Sequence, residues 1–268
     1  MTTRNWRAKN IRSDTCSISR VQKTPILPVT YTQTFSDVGT FNWAVPDFCE
    51  SIEYLVVGGG GGGGGTYDTG TSGGGGGGHV VQGRFANVPS CRTLSVVVGQ
   101  GGNGGTADRL NSPYEYNGGI GQPSSFGAFS AAGGSGGYIS RAWISSSAGT
   151  GALNPSEGGG GGGDNSVGRG GGGGGGSSAK GNDSVGNTGG TGGAGTIGTL
   201  TGLEYGIGGN GASRPFSGLA ASGTGLSGTA NSGNGGNGST STHTDQDAGG
   251  NGGSGIVVIR YTIGAHFY

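Results

Sequence analysis

Four uninterrupted glycine runs, at 58–65, 73–78, 158–163 and 170–176, constrain this chain more than anything else in it. An ordered glycine loses more backbone entropy than any other residue and buries no side chain. Such runs therefore either stay unstructured or are held by contacts between backbones. Glycine is also confined: residues 1–57 contain one, Gly39, and the other 72 of the 73 follow it. Hydrophobic residues make up 29% and charged residues 10%, against about 45–50% and about 25% in ordinary domains. An ordinary enzyme core is hard to build from this material. A formal net charge of zero equally disfavours disorder driven by charge repulsion.

Flexible linkers mix glycine with serine and join two folded domains. Here the first run follows directly from the apolar Leu55-Val56-Val57, and the runs return without a second conventional domain to connect. Collagen requires a strict Gly-X-Y repeat with abundant proline, whereas the chain has eight prolines and does not keep that period. The ordered alternative is polyglycine II: left-handed, three-residue-per-turn helices without internal hydrogen bonds, whose bare backbones pack side by side and bond to one another. Ordered rods and a disordered glycine-rich chain both remain open on composition.

Alternation of period two in Phe41, Trp43 and Val45, and in Ile52, Tyr54 and Val56, predicts half-buried strands with a turn at Pro46-Asp47. Further strand signals lie at 79–82, 84–85 and 94–98, with a turn over 87–90, and at the late GIVVIRY of 255–261. That last strand needs partners, and the only sizeable set lies in 34–98, so the two ends of the glycine-rich body should meet in one small β-unit. Four zones result: a basic lead at 1–33, a β-strand unit with the first rods at 34–110, a glycine-rich body at 111–254, and a closing strand and tail at 255–268. No apolar run is long enough to span a bilayer, and the N-terminus lacks the apolar stretch of a secretory signal.

Four stretches, taken together, resemble one family. FNWAVPDFCESIEYLVVGGGGGGGG, LSVVVGQGGNGG, GIGQPSSFG and GGNGGSGIVVIRY, spread over about 34–262, are similar to the recurring elements of glycine-rich domain proteins in tailed bacteriophages. The resemblance implies a tail-fibre or tail-tip protein, including distal adhesins in which a polyglycine II sandwich carries variable receptor-contacting loops. It also implies attachment through the N-terminal part.

Motifs for chemistry are absent or uninformative. The glycine runs satisfy G-x-G-x-x-G trivially, with no helical periodicity to support a dinucleotide site. No phosphate-binding G-x-x-x-x-G-K-[ST] occurs, since Ala179 precedes Lys180. His79, His243 and His266 have no metal-ligand spacing, and Asp245 and Asp247 flank Gln246 without the other ligands of a calcium loop. No catalytic residue, metal or cofactor is expected. Three cysteines, Cys16, Cys49 and Cys91, permit one disulfide and no stapled framework.

Recognition residues are sought instead in the segments between rods: 66–72, 106–117, 138–157, 198–208, 212–218 and 239–248. Loops on a rigid scaffold are where binding normally resides, with Tyr, Trp and Arg as anchors. Tyr114, Tyr116, Tyr138, Arg141, Trp143 and Tyr205 are the candidates for receptor contact, while Trp143 and Tyr138 could equally cover a rod edge. Residues 1–27 carry six basic side chains against Asp14, a net +5. Arg4, Trp6, Arg7, Lys9 and Arg12 are the candidates for an arm that docks onto other tail or fibre proteins, with nucleic acid disfavoured because no dense basic block occurs.

The fold expected is mainly β with essentially no α-helix: a small β-sandwich carrying a bundle of polyglycine II helices with surface loops. The function expected is non-enzymatic. The chain would be a virion protein at a phage tail tip or fibre end that binds a host surface glycan or outer-membrane protein. It would be made in the host cytoplasm, would not insert into the membrane, and could assemble as a homo-oligomer. A purely structural virion component, such as a capsid decoration, collar or baseplate fibre, is the alternative.

Overall fold

A computed structural model describes residues 25–67, 70–86, 92–106, 117–138, 170–214, 224–241 and 246–267. The strands, in order, are β1 (Pro25–Ile26), β2 (Val29–Phe35), β3 (Gly39–Ala44), β4 (Cys49–Val57), β5 (Thr66–Tyr67), β6 (Val80–Ala86) and β7 (Thr93–Val98). They continue as β8 (Ser124–Phe126), β9 (Phe129–Ala131), β10 (Thr196–Ile197), β11 (Glu204–Tyr205), β12 (Gln246–Asp247), β13 (Ile256–Ile263) and β14 (His266–Phe267). No helix occurs among the described residues.

Two four-stranded antiparallel sheets form the sandwich, with orders β2-β13-β4-β6 and β3-β7-β8-β9. The alternating residues foreseen in β3 and β4 do face one core, where Trp43, Ile52, Tyr54 and Val56 pack with Phe35, Val96, Phe126, Val257 and Ile259. Pro46-Asp47 lies where the chain crosses between sheets, since β3 and β4 pair with different partners. The late strand β13 sits between β2 and β4, so the two ends of the glycine-rich body meet as expected. Strand β2 starts inside the stretch assigned to the lead, at Val29, and pairs with β13 through to Phe35. Its alternating Val29-Thr30-Tyr31-Thr32 is β-branched and aromatic, which suits a pleated strand better than a free arm. The turn expected at 87–90 and the run 158–163 lie outside the described residues.

Strands β8 and β9, which no sequence signal announces, form a tight hairpin in which Phe126 pairs with Phe129. Gly127 takes a φ of 56° in its turn, a left-handed conformation that glycine adopts without cost.

The glycine-rich body is a lattice of antiparallel out-and-back excursions. Chain leaves the sandwich along 58–65, 99–105, 132–138, 181–184, 206–212 and 233–239, and returns along 73–79, 118–122, 170–176, 189–195, 224–229 and 249–255; the directions follow from the hydrogen-bond registers. The segment 58–65 lies at the centre. Its N–H groups at 58, 61 and 64 donate to the carbonyls of 79, 76 and 73; those at 59 and 62 donate to 122 and 119; those at 60 and 63 donate to 253 and 250. Its carbonyls at 60 and 63 accept from 102 and 105, those at 59 and 62 from 134 and 137, and those at 61 and 64 from 236 and 239. Six neighbours therefore surround one rod, and each is met at every third residue. A period of three is what laterally packed three-residue-per-turn helices require, and it answers where the backbone groups of these runs are satisfied.

Candidate functional site

Because the excursions are all anchored at the sandwich, their outer turns gather at the opposite end of the lattice. The described residues bordering 66–72, 107–116, 139–169, 185–188, 215–223 and 242–245 all stand there. Five of the six segments proposed for recognition (66–72, 106–117, 138–157, 212–218 and 239–248) leave from and return to this far end. The sixth, 198–208, lies at the sandwich end, between 189–195 and 206–212.

That difference decides Tyr205. Expected as a contact residue, it is 4% exposed and packs with Leu55, Val57, Val80, Ile256 and Val258 on the outer face of the first sheet. Four of those residues belong to β4 and β13, whose near-continuous apolar runs need cover on both faces, and Tyr205 with Leu200 supplies it. It is a packing residue. Tyr138 is at the far end and 46% exposed, while its carbonyl accepts the N–H of Gly73 at 3.0 Å. Tyr114, Tyr116, Arg141 and Trp143 lie outside the described residues, as do Arg4, Trp6, Arg7, Lys9 and Arg12 of the lead.

Small hydroxyl side chains close the lattice at this end. Thr66–Tyr67 pairs with Gln246–Asp247, and Thr71 bridges Thr240. Beneath them, the Ser239 hydroxyl donates to the Asp247 carbonyl at 2.8 Å and lies 3.1 Å from the Thr66 hydroxyl. The Ser72 hydroxyl donates to the carbonyls of Gly64 and Ser239. Thr66 and Ser72 are fully buried. The Gly64 and Ser239 carbonyls also accept the backbone N–H groups of Ser239 and Ser72, and a hydroxyl is the smallest side chain that adds a second bond to each.

The side chains that the lattice does display follow its period, although the chain as a whole keeps no strict triplet. Non-glycine residues recur every third position: Gln100, Asn103 and Thr106; Ala132, Ser135 and Tyr138; Thr188, Thr191 and Ala194; Ile207, Asn210 and Ser213; Asn234, Asn237 and Thr240; Ala248, Asn251 and Ser254. Several of the asparagines are part of the lattice. The Oδ1 atoms of Asn251, Asn210, Asn234 and Asn237 accept the N–H groups of Gly104, Gly192, Ile207 and Asn210 at 2.8–3.0 Å. They stand in for a neighbouring rod where the bundle has an edge.

Among the described residues, the perturbed titratable groups are in the sandwich and are kept neutral. Burial pushes the Cys49 thiol up, opposed by a weaker hydrogen bond to the Ser51 carbonyl. Burial likewise raises Tyr54 and Tyr261. A thiol held protonated in an apolar core is a poor nucleophile. Among the described residues no group of His, Cys, Asp or Glu is spaced to hold a metal ion, and no helix is long and apolar enough to cross a membrane.

Comparison with curated proteins finds none that matches. The sequence model of the glycine-rich domain matches residues 34–262, a span that begins at the sandwich, encloses the whole rod lattice and ends within β13. The chain belongs to the glycine-rich domain family.

Proposed function

We propose that this chain is a non-enzymatic virion protein of a tailed bacteriophage, at the tail tip or fibre end, which binds a host-cell surface receptor through its far-end loops. The observation that carries the reading is the separation of two poles. Residues 25–26 pair with 266–267 at the outer end of the β2–β13 ribbon, away from the lattice, while the inter-rod segments border the opposite end. One pole suits mounting through the basic lead on another tail protein, and the other suits presentation. The resemblance of the strand-to-glycine transitions to phage glycine-rich proteins gives the setting. Mechanistically, backbone–backbone bonds fix the loop ends before any receptor arrives, so less ordering entropy is lost on binding. Several copies on one particle would add avidity.

The test is particle adsorption with Tyr138→Ala and Trp143→Ala variants. Loss of an anchoring aromatic lowers affinity about 30-fold when the residue is a hot spot. Intact particles with reduced adsorption are expected. Unchanged adsorption from both variants, and from exchange of the whole 139–157 segment, would assign the chain a purely structural role in the virion.

A further inference from the structure

The first sheet ends in a strand built to pair again. Among the described residues β2 pairs only with β13, and no backbone hydrogen bond joins its outer edge to another of them. Edge strands are normally defended by charge, proline, a bulge or shortness. β2 has none of these: its seven residues, VTYTQTF, carry no charge and no proline, and its register with β13 is unbroken. The other sheet edges differ. β6 carries Arg84 and Gly83, and β9 is three residues long. β3 is uncharged but opens with Gly39 and has Phe41 and Trp43 turned into the sandwich. β2 adds exposed apolar side chains to a seven-residue open ladder: Val29 and Tyr31 are 42% and 45% exposed, and Leu27, just before the strand, is 73% exposed.

We infer that β2 is a homodimerisation edge, pairing antiparallel with β2 of a second copy about a two-fold axis at Thr32. A second copy fits because the strand is complementary to itself. In that register Val29 lies opposite Phe35, Thr30 opposite Thr34, and Tyr31 opposite Gln33, with Thr32 facing its own counterpart. The arrangement is isologous and closed. Every pair joins residues of the same pleat parity, so outward-facing N–H and C=O groups meet outward-facing ones. About six to eight new hydrogen bonds form, depending on which parity faces out. No like charges are brought together, and the two sheets become one of eight strands, the usual geometry of strand addition. This inference is independent of the mounting and receptor reading, because it concerns the edge of the sandwich alone.

The experiment is sedimentation of the full chain over a wide concentration range. A concentration-dependent species at twice the 25.8 kDa chain mass is expected. Thr32→Lys places two lysines directly opposite at the axis, which opposes pairing. It should give monomer that keeps the circular dichroism of the unsubstituted chain, since residue 32 is exposed, with at most a small fall in thermal midpoint because Arg260 of β13 lies opposite residue 32. Thr32→Glu alone should do the same, and an equimolar mixture of the two variants should restore a dimer containing one of each. A chain that stays monomeric at all concentrations overturns the inference. So does a Thr32→Lys chain that still dimerises, or a charge-swapped mixture that fails to pair.

Discussion

Each N–H of Gly58–Gly64 reaches a different rod from the N–H before it, and this rotation leaves no direction free for a side chain. A Cβ built at Gly58 or Gly61 would lie closer than 3.0 Å to the carbonyl of Ala132 or Ser135; at Gly59 or Gly62, to that of Gln100 or Asn103; at Gly60 or Gly63, to that of Asn234 or Asn237. The neighbouring rods thus turn the backbones of their non-glycine residues towards the central rod, with the side chains directed away. Gly61→Ala should therefore cost about 3 kcal/mol or more, because the obstacle is backbone that cannot swing aside. Leu226→Ala, at a rod residue 74% exposed, should change stability by no more than about 0.5 kcal/mol. Chemical denaturation of the two variants checks the contrast; equal effects would mean that close packing of the rods is not what holds the chain.

At the scale of the element, a rod is defined by phase. Inserting one glycine between Gly61 and Gly62 would hand every later N–H to the wrong neighbour, whereas inserting three would restore the phase and displace the far end by about one turn, roughly 9 Å. The single insertion should be the more destabilising of the two, measured as a lower midpoint of thermal unfolding. A flexible linker would tolerate both alike. Strands and rods differed in how far they could be read beforehand. The apolar alternation of Ile52, Tyr54 and Val56, and the isolated GIVVIRY, made β4 and β13 legible, because burial on a pleated sheet repeats every two residues. β8 and β9 were too short for that signal, and β2, rich in threonine, read as polar lead. The triplet spacing of Gln100, Asn103 and Thr106 was present in the sequence, but it is broken wherever a turn resets the count, so it is visible only rod by rod. Tyr205 could not be sorted from the other loop tyrosines, because its burial depends on the outer face of β4 and β13, which the local sequence does not describe.

For the whole molecule, the balance of buried surface is unusual. The sandwich buries side chains in the ordinary way, but the lattice buries amides. Exposing apolar area raises heat capacity and exposing polar area lowers it, which gives about 12–15 cal/mol/K per residue for common domains. Calorimetric unfolding of this chain should give a clearly smaller value per residue. A value inside the ordinary range would mean that the rods contribute little to the cooperative transition.

Pinning both ends of an excursion has an effect on variation. Gly64 bonds Gly73 on either side of 66–72 at 3.0 Å, Asn103 bonds Gly119 on either side of 106–117 at 2.7 Å, and Ser239 bonds Asp247 across 242–245. The stems are stitched together below the insert, so doubling its length adds only about 0.6 kcal/mol of closure entropy. Outside the buried Thr66, Thr71 and Ser72, which belong to the framework itself, mutation can rewrite such cassettes in length and content for a closure cost of that small size, which lets diversification proceed at one pole with little loss of stability at the other.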